Sequence, residues 1–162
     1  MQRSQQIMEA AEALLAKQGY DVKADDRLPD NPGLNMLIPL REDGTELVLT
    51  ELHFIPGGMD FDVVQIYTTL IGELHEPARR EVEKAVAVWN QDFLLGALAV
   101  GEEGGPLYHR YCLALPKQLD PAQLATLIYQ AFSFILSQIA EYHPDALTLA
   151  SGVTFDDLCA MD

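Results

Sequence analysis

Cysteine, basic residues and long apolar runs are all scarce in this chain of 162 residues, and each shortage excludes a class of protein. Two cysteines, Cys112 and Cys159, are too few for a disulfide framework, which favours a reducing cytoplasm. Cys112 lies inside an apolar run and is expected to be a small buried side chain. No stretch reaches the ~18 continuous apolar residues of a membrane-spanning helix, and the segment from Met1 to Gly19 lacks the apolar core of a signal peptide. The sequence therefore predicts a soluble cytoplasmic protein that has no membrane partner.

Basic residues number only 10 against 25 acidic ones, which gives a net charge of −15 at pH 7. A field of that sign repels phosphate backbones, so nucleic acid is not an expected partner. The same field would attract a basic or mixed-charge protein. Acidity also serves solubility, so the charge by itself identifies no partner.

Catalytic and metal-binding motifs are also missing from the sequence. His53, His75, His109 and His143 show no ligand spacing such as HExxH, and neither glycine pair matches a phosphate-binding loop. His109 stands three residues before Cys112, so on a strand the two side chains would point to opposite faces. An enzyme that combines Cys112 with His53 or His75 stays open as an alternative. We expect no catalytic residue, no cofactor and no metal ion.

The apolar pattern predicts three helices and five strands. The predicted helices are residues 4–18 with Ser4 as N-cap, a second that opens at Glu76-Pro77, and a third from Asp120-Pro121 to about Tyr142; the predicted strands are residues 34–41, 46–55, 61–71, 93–101 and 107–115. Tight turns at 43–44, 56–58 and 102–105 make neighbouring strands antiparallel. The predicted fold class is α+β, with an antiparallel sheet of about five strands flanked by helices in the order α-β-β-β-α-β-β-α. Residues 1–162 are expected to form a single domain, with 146–162 as a C-terminal tail.

The third predicted helix carries apolar side chains on more than one face, among them Leu124, Ile128, Phe134 and Ile139. A helix that is apolar nearly all round must be buried on two sides. One side is expected to face the sheet, and the other a second protein chain or the tail. The tail is expected to end in a short helix capped by Thr154.

Two segments and the element order carry a resemblance to a known family. They are the helix end Val88-Trp89-Asn90-Gln91 and the strand segment PLYHRYCLALP at residues 106–116. The chain resembles the Tir-chaperone (CesT) type of type III secretion chaperone and the related YbjN-type domains. Members of that family are small, acidic, cytoplasmic homodimers that hold an extended client segment. The resemblance implies a non-enzymatic, chaperone-like homodimer with a protein client such as a secreted effector. A YbjN-like regulatory or ligand-sensing domain without a secretion role stays open.

The resemblance also implies which surfaces bind. The first helix and the first sheet edge would take the client, through Ile7, Leu14, Leu15, Leu37 and Leu49. A helix stripe and the last strand pair would form the dimer contact, with Val82, Val86 and Trp89 or Phe134 as its residues. Ordinary core packing is the other interpretation of every one of these positions.

Overall fold

The computed structural model describes residues 2–25 and 31–161, which form four helices and one sheet. The helices are α1 (Arg3–Lys17), α2 (Ala78–Trp89), α3 (Pro121–Ala150) and α4 (Phe155–Cys159). The strands are β1 (Val22–Asp25), β2 (Gly33–Pro39), β3 (Leu47–Ile55), β4 (Phe61–Ile71), β5 (Ala97–Val100) and β6 (Leu107–Pro116). They lie side by side in the order β1-β2-β3-β4-β6-β5, and every neighbouring pair is antiparallel. The predicted α+β class with an antiparallel sheet is confirmed.

The sheet has six strands, so the predicted count of about five and the predicted element order are corrected. β1 is the missed strand, and its four residues are too few to show a clear alternation. Pairing with β2 decides its conformation, since Val22 lies opposite Met36 and Ala24 opposite Leu34. Residues 26–30, between β1 and β2, lie outside the described residues.

β5 is shorter than the predicted strand 93–101. Gly96 adopts φ +76°, a left-handed conformation that ends an extended segment. Phe93 instead turns towards the helices, where its ring lies 5.2 Å from the ring of Tyr142 and 5.4 Å from that of His109. Burial of this aromatic ring therefore takes the place of strand pairing.

α3 continues through Pro144 to Ala150, so its predicted end near Tyr142 is wrong. A proline inside a helix removes one backbone hydrogen bond and crowds the carbonyl four residues earlier. Ala146 and Leu149 are fully buried, and this packing holds the last turns in helical form. The predicted start is confirmed, because Asp120 and Gln123 form a reciprocal capping box.

α1 begins one residue before the predicted start and ends one residue before the predicted end. Gln2 occupies the N-cap position and makes no capping hydrogen bond with its side chain, so the assignment of Ser4 as N-cap is wrong. Arg3 donates instead to the carbonyl of Leu119 at 2.9 Å. Gly19, which directly follows the predicted end at residue 18, adopts φ +94° and ends the helix. The predicted short helix in the tail is confirmed as α4, whose N-cap Thr154 accepts from the backbone N–H of Asp157.

α3 is buried on two sides, as its composition predicts. One side packs on the sheet, and the other packs mainly on α1, with smaller contacts to α2 and α4. Ile128, Phe132 and Ile135 are completely buried between these layers. The second covering is thus chiefly the protein's own first helix, and α4 of the tail adds a smaller contact.

Alternate strand residues point to two different faces of the sheet. On β4 the buried set is Asp62, Val64, Ile66, Thr68 and Leu70, and the partly exposed set is Phe61, Val63, Gln65, Tyr67 and Thr69. We call the first side the inner face and the second the outer face. In the described part of the chain, the helices cover the inner face only.

Candidate functional site

The outer face carries large apolar side chains that no described helix covers. Leu37 is 58% exposed, Leu47 49%, Leu49 39%, Ile55 40% and Phe61 47%. An antiparallel sheet with one solvated face normally alternates apolar residues inside with polar residues outside. That alternation is broken at both ends of the face, where Leu37, Leu47 and Leu49 are separated from Ile55 and Phe61 by the rows of Glu51 and His53. Exposed apolar surface of this kind is typical of an interaction site.

The strand register arranges the outer face into rows that cross the sheet. The central row is Lys23, Asn35, Glu51, Tyr67, Arg110 and Ala97, in the order β1, β2, β3, β4, β6 and β5. A neighbouring row is Leu37, Leu49, Thr69, Tyr108 and Ala99. Directly opposed residues on one face have Cβ atoms about 5 Å apart, so each row is a line of neighbouring side chains. The face therefore has a charged central row beside a largely apolar one.

Tyr67 and Tyr108 stack on the outer face, with ring centroids 4.6 Å apart and an angle of 22° between the rings. Partial burial raises the pKa of Tyr67, and Tyr108 and the negative charge of Glu51 raise it further, while Arg110 opposes them. The phenol is thus neutral at physiological pH. The pair gives the centre of the face a rigid apolar body that ends in hydroxyl groups.

An open depression of about 370 Å³ lies on the β5–β6 side of this face. Its lining residues are Gly96, Ala97, Ala99, Tyr108, Arg110, Tyr111 and Cys112. Small side chains on β5 create the space, and Arg110 supplies the cationic group. The bulky exposed leucines lie on the other half of the same face, on β2 and β3.

The two edges of the sheet differ. At the β5 edge the side-chain amide of Asn90 donates to the Leu98 carbonyl at 2.9 Å and accepts from the Leu98 N–H at 2.7 Å. This amide occupies the backbone groups that a further strand would need. β1 is the terminal strand at the opposite edge.

The predicted client-binding residues divide into buried and exposed ones. Ile7 and Leu15 are completely buried in the core, which agrees with the core-packing interpretation and leaves them no surface for a client. Leu14 is half-buried against the core. Leu37 and Leu49 lie side by side on the outer face, where they are exposed.

The predicted dimer residues divide in the same way. Val82, Val86 and Trp89 are buried at 0%, 9% and 7% exposure, so they belong to the core of one chain. Trp89 packs on Tyr142, with ring centroids 5.4 Å apart. Phe134 on α3 is 41% exposed and remains accessible.

Cys112 is exposed, so the expectation of a buried thiol is wrong. Its position on β6 places it on the outer face opposite Gln65, whereas His109 lies on the inner face opposite Thr68. The predicted separation of these two side chains on opposite faces is confirmed. His53 lies opposite Gln65 from the other side, in the same row as Cys112. Two strand spacings of about 5 Å separate its backbone from that of Cys112, which puts direct proton transfer out of reach.

The two buried histidines have structural partners. His109 lies with Nε2 2.7 Å from the Leu95 carbonyl, and burial lowers its pKa, so the neutral ring donates this hydrogen bond. His143 on α3 lies 3.2 Å from a carboxylate oxygen of Glu46 and 3.3 Å from the Leu70 carbonyl. This contact, followed by that of Arg41, holds the pKa of Glu46 below its usual value. Among residues 2–25 and 31–161, no cluster of His, Cys, Asp and Glu has an arrangement suited to a metal ion.

Sequence reasoning missed the outer face as one surface. A signal was available on β3, where Leu47 and Leu49 alternate with Val48 and Leu52, so both faces of the strand carry apolar residues. The role of Asn90 at the β5 edge had no such signal, because its partner is backbone.

Comparison with known proteins identifies no family for this chain: no protein-family model matches it, and a search of curated proteins returns no significant match. In the described segments, α3 is the one helix long and apolar enough to be a candidate membrane span. The core helix of a soluble protein meets the same criterion, and α3 packs on a sheet as such a helix does.

Proposed function

We propose that this chain is a non-enzymatic, chaperone-like protein that binds another polypeptide on the outer face of its sheet. The observation that carries the proposal is the set of large apolar side chains exposed on that face, from Leu37 to Phe61. Water contact at these positions costs free energy, at about 25 cal/mol for each Å² of apolar surface left exposed. A docked polypeptide would recover that free energy.

The shape of the face favours a polypeptide over a small molecule. It is broad, and its depression is open on one side, whereas small-ligand sites are usually enclosed clefts. Apolar positions on neighbouring strands, such as Leu37 on β2 and Leu49 on β3, offer separate contacts for side chains of the bound chain.

An extended client segment has a second place to bind at the edge of the sheet. The β5 edge is occupied by Asn90, so β1 is the edge at which a further strand would add. Strand addition supplies backbone hydrogen bonds that do not depend on client sequence. The net charge of −15 would favour basic clients and speed their approach.

Photo-crosslinking in cells tests the proposal. In the test variant, benzoylphenylalanine replaces Leu37 on the outer face. In the matched control it replaces Leu94, which is 78% exposed but does not belong to the sheet, since its segment contacts Gln138 on α3. We expect a covalent polypeptide adduct from position 37 and little from position 94. Equal or absent adducts at the two positions would overturn the proposal.

A further inference from the structure

We propose that the polypeptide bound to the outer face is a second copy of this chain, packed sheet to sheet about a two-fold axis that runs along β4. The inference rests on the proposed function, which assigns a polypeptide to this face. It names that polypeptide, and it leaves the β1 edge as the place for an extended client. Charge, row order, shape and area each support it.

The charge of the outer face is balanced although the chain is strongly acidic. Its charged strand residues are Lys23 and Arg110 against Asp25 and Glu51, while the whole chain carries −15. Two copies repel each other through most of their surfaces at long range. The outer face is where they approach with the least repulsion.

The row order makes the face complementary to itself. In the central row Glu51 on β3 and Arg110 on β6 flank Tyr67 on β4. A two-fold rotation about β4 exchanges the two sides, so Glu51 of each copy faces Arg110 of the other and Tyr67 faces its own equivalent. The ion pair between Glu51 and Arg110 therefore forms twice, once on each side of the axis, as in every isologous interface. A two-fold axis along the central row, perpendicular to the strands, would place Glu51 of one copy against Glu51 of the other, and these like charges would repel each other.

Side-chain size follows the same symmetry. The rotation sets Leu37 of one copy over Ala99 of the other, at the depression that the small residues of β5 create. In another row it sets Ile55 over Ala114. On both sides of the axis, a large apolar side chain of one copy therefore lies over a small alanine side chain of the other.

The available area is sufficient for a stable pair. With strands about 4.8 Å apart and about 3.3 Å of rise per residue, the five strands that overlap about β4 cover roughly 650 Å² per copy, and β1 stays outside the contact. A standard protein interface buries about 800 Å² per partner. Two such faces pack about 10 Å apart with strands within about 30° of each other, and the rows nearest β4 keep the pairing best.

Charge exchange between copies is the decisive experiment. Light scattering of the wild-type chain should give twice its mass of 17.9 kDa. Glu51→Arg alone or Arg110→Glu alone places like charges at both symmetric contacts and should weaken the dissociation constant at least about 100-fold. An equimolar mixture of these two variants should dimerise again, because every opposed pair in the mixed dimer is then of opposite sign. Glu103→Arg, in the exposed loop between β5 and β6 and outside the strand rows, is the matched control and should stay dimeric.

A thiol probe reports the same contact without a charge change. In a Cys159→Ser chain, Cys112 is exposed in the single copy and should be covered in the pair. The reaction of Cys112 with dithiobis(nitrobenzoate) should be at least about tenfold slower in this chain than in the same chain with Glu51→Arg added. Leu37→Ala, which removes the side chain that meets the depression, should weaken dimerisation about tenfold or more.

The outcomes separate the inference from the proposed function. A wild-type chain that stays monomeric at its highest soluble concentration overturns the inference, as does a failure of the mixed variants to pair. If the adduct at position 37 then contains a different polypeptide, the proposed function stands while the inference falls. If position 37 yields no polypeptide adduct, both fall.

Discussion

Asn90 joins the end of α2 to the edge strand β5 through two hydrogen bonds to one residue, and its replacement by alanine tests how much that contact contributes. The amide donates to the Leu98 carbonyl at 2.9 Å and accepts from the Leu98 N–H at 2.7 Å. Asn90→Ala removes both bonds at once. Leu98 is 2% exposed, so its backbone groups recover only part of their hydration.

The cost follows from the number of bonds lost. Each hydrogen bond contributes about 1 kcal/mol net, and more where a buried group is left unpaired, so we expect a loss of about 2 kcal/mol. For a chain of 162 residues that corresponds to a fall in Tm of roughly 4–8 °C. Freed strand groups at this edge would also promote aggregation by strand pairing.

Thermal and urea unfolding followed by circular dichroism measure this loss, at one protein concentration for every variant because association shifts apparent stability. Gln91→Ala is the matched control, since Gln91 is the exposed neighbour at the same helix end. It should change the free energy of unfolding by less than about 0.5 kcal/mol. Hydrogen exchange at the Leu98 N–H should accelerate in Asn90→Ala alone. Equal stability of the two variants would refute the reasoning.

Three further predictions concern the fold around the site. Gly96→Ala should lower the free energy of unfolding in urea by more than about 3 kcal/mol, because Gly96 has φ +76° and an added Cβ would lie 2.5 Å from the Arg110 carbonyl and 2.6 Å from the His109 ring. The control Gly44→Ala, at φ +78° in open space, should lower it by only about 1 kcal/mol. Similar losses in the two variants would contradict this account. Burial lowers the pKa of His109 below its value in the unfolded chain, so the unfolded state takes up the proton first as pH falls. The free energy of unfolding should therefore decrease below about pH 6.5. His109→Gln should flatten this decrease, and an unchanged slope in the variant would disprove the assignment. Asp120→Ala removes the capping box of α3 and should cost about 1 kcal/mol in thermal unfolding, whereas an unchanged Tm would show that the cap contributes nothing.

Local features of the sequence predicted much of the secondary structure. β4 runs from Phe61 to Ile71 as its alternation indicates, because strong period-two patterning over eleven residues leaves no competing conformation. The caps at Asp120 and Thr154 form as predicted, since a capping side chain bonds to backbone within three residues. Such features depend only on neighbours in the chain.

The candidate site was predicted only in part. Leu37 and Leu49 lie on the exposed face, but Ile7 and Val82, which share their apolar character, are buried in the core. A leucine or isoleucine looks the same in sequence whether a helix covers it or not. Exposure depends on which layer lies above each position, and that is a property of the assembled fold.

The sequence by itself determined the α+β class, the hairpins and the caps at Asp120 and Thr154, because these follow from interactions among neighbouring residues. Tertiary structure alone decided that β1 pairs with β2, that α3 continues past Pro144, and that Cys112 faces outward. The physical reason is that strand register and buried contacts join residues far apart in the chain. Those long-range contacts set the rows of the outer face, on which both proposals rest.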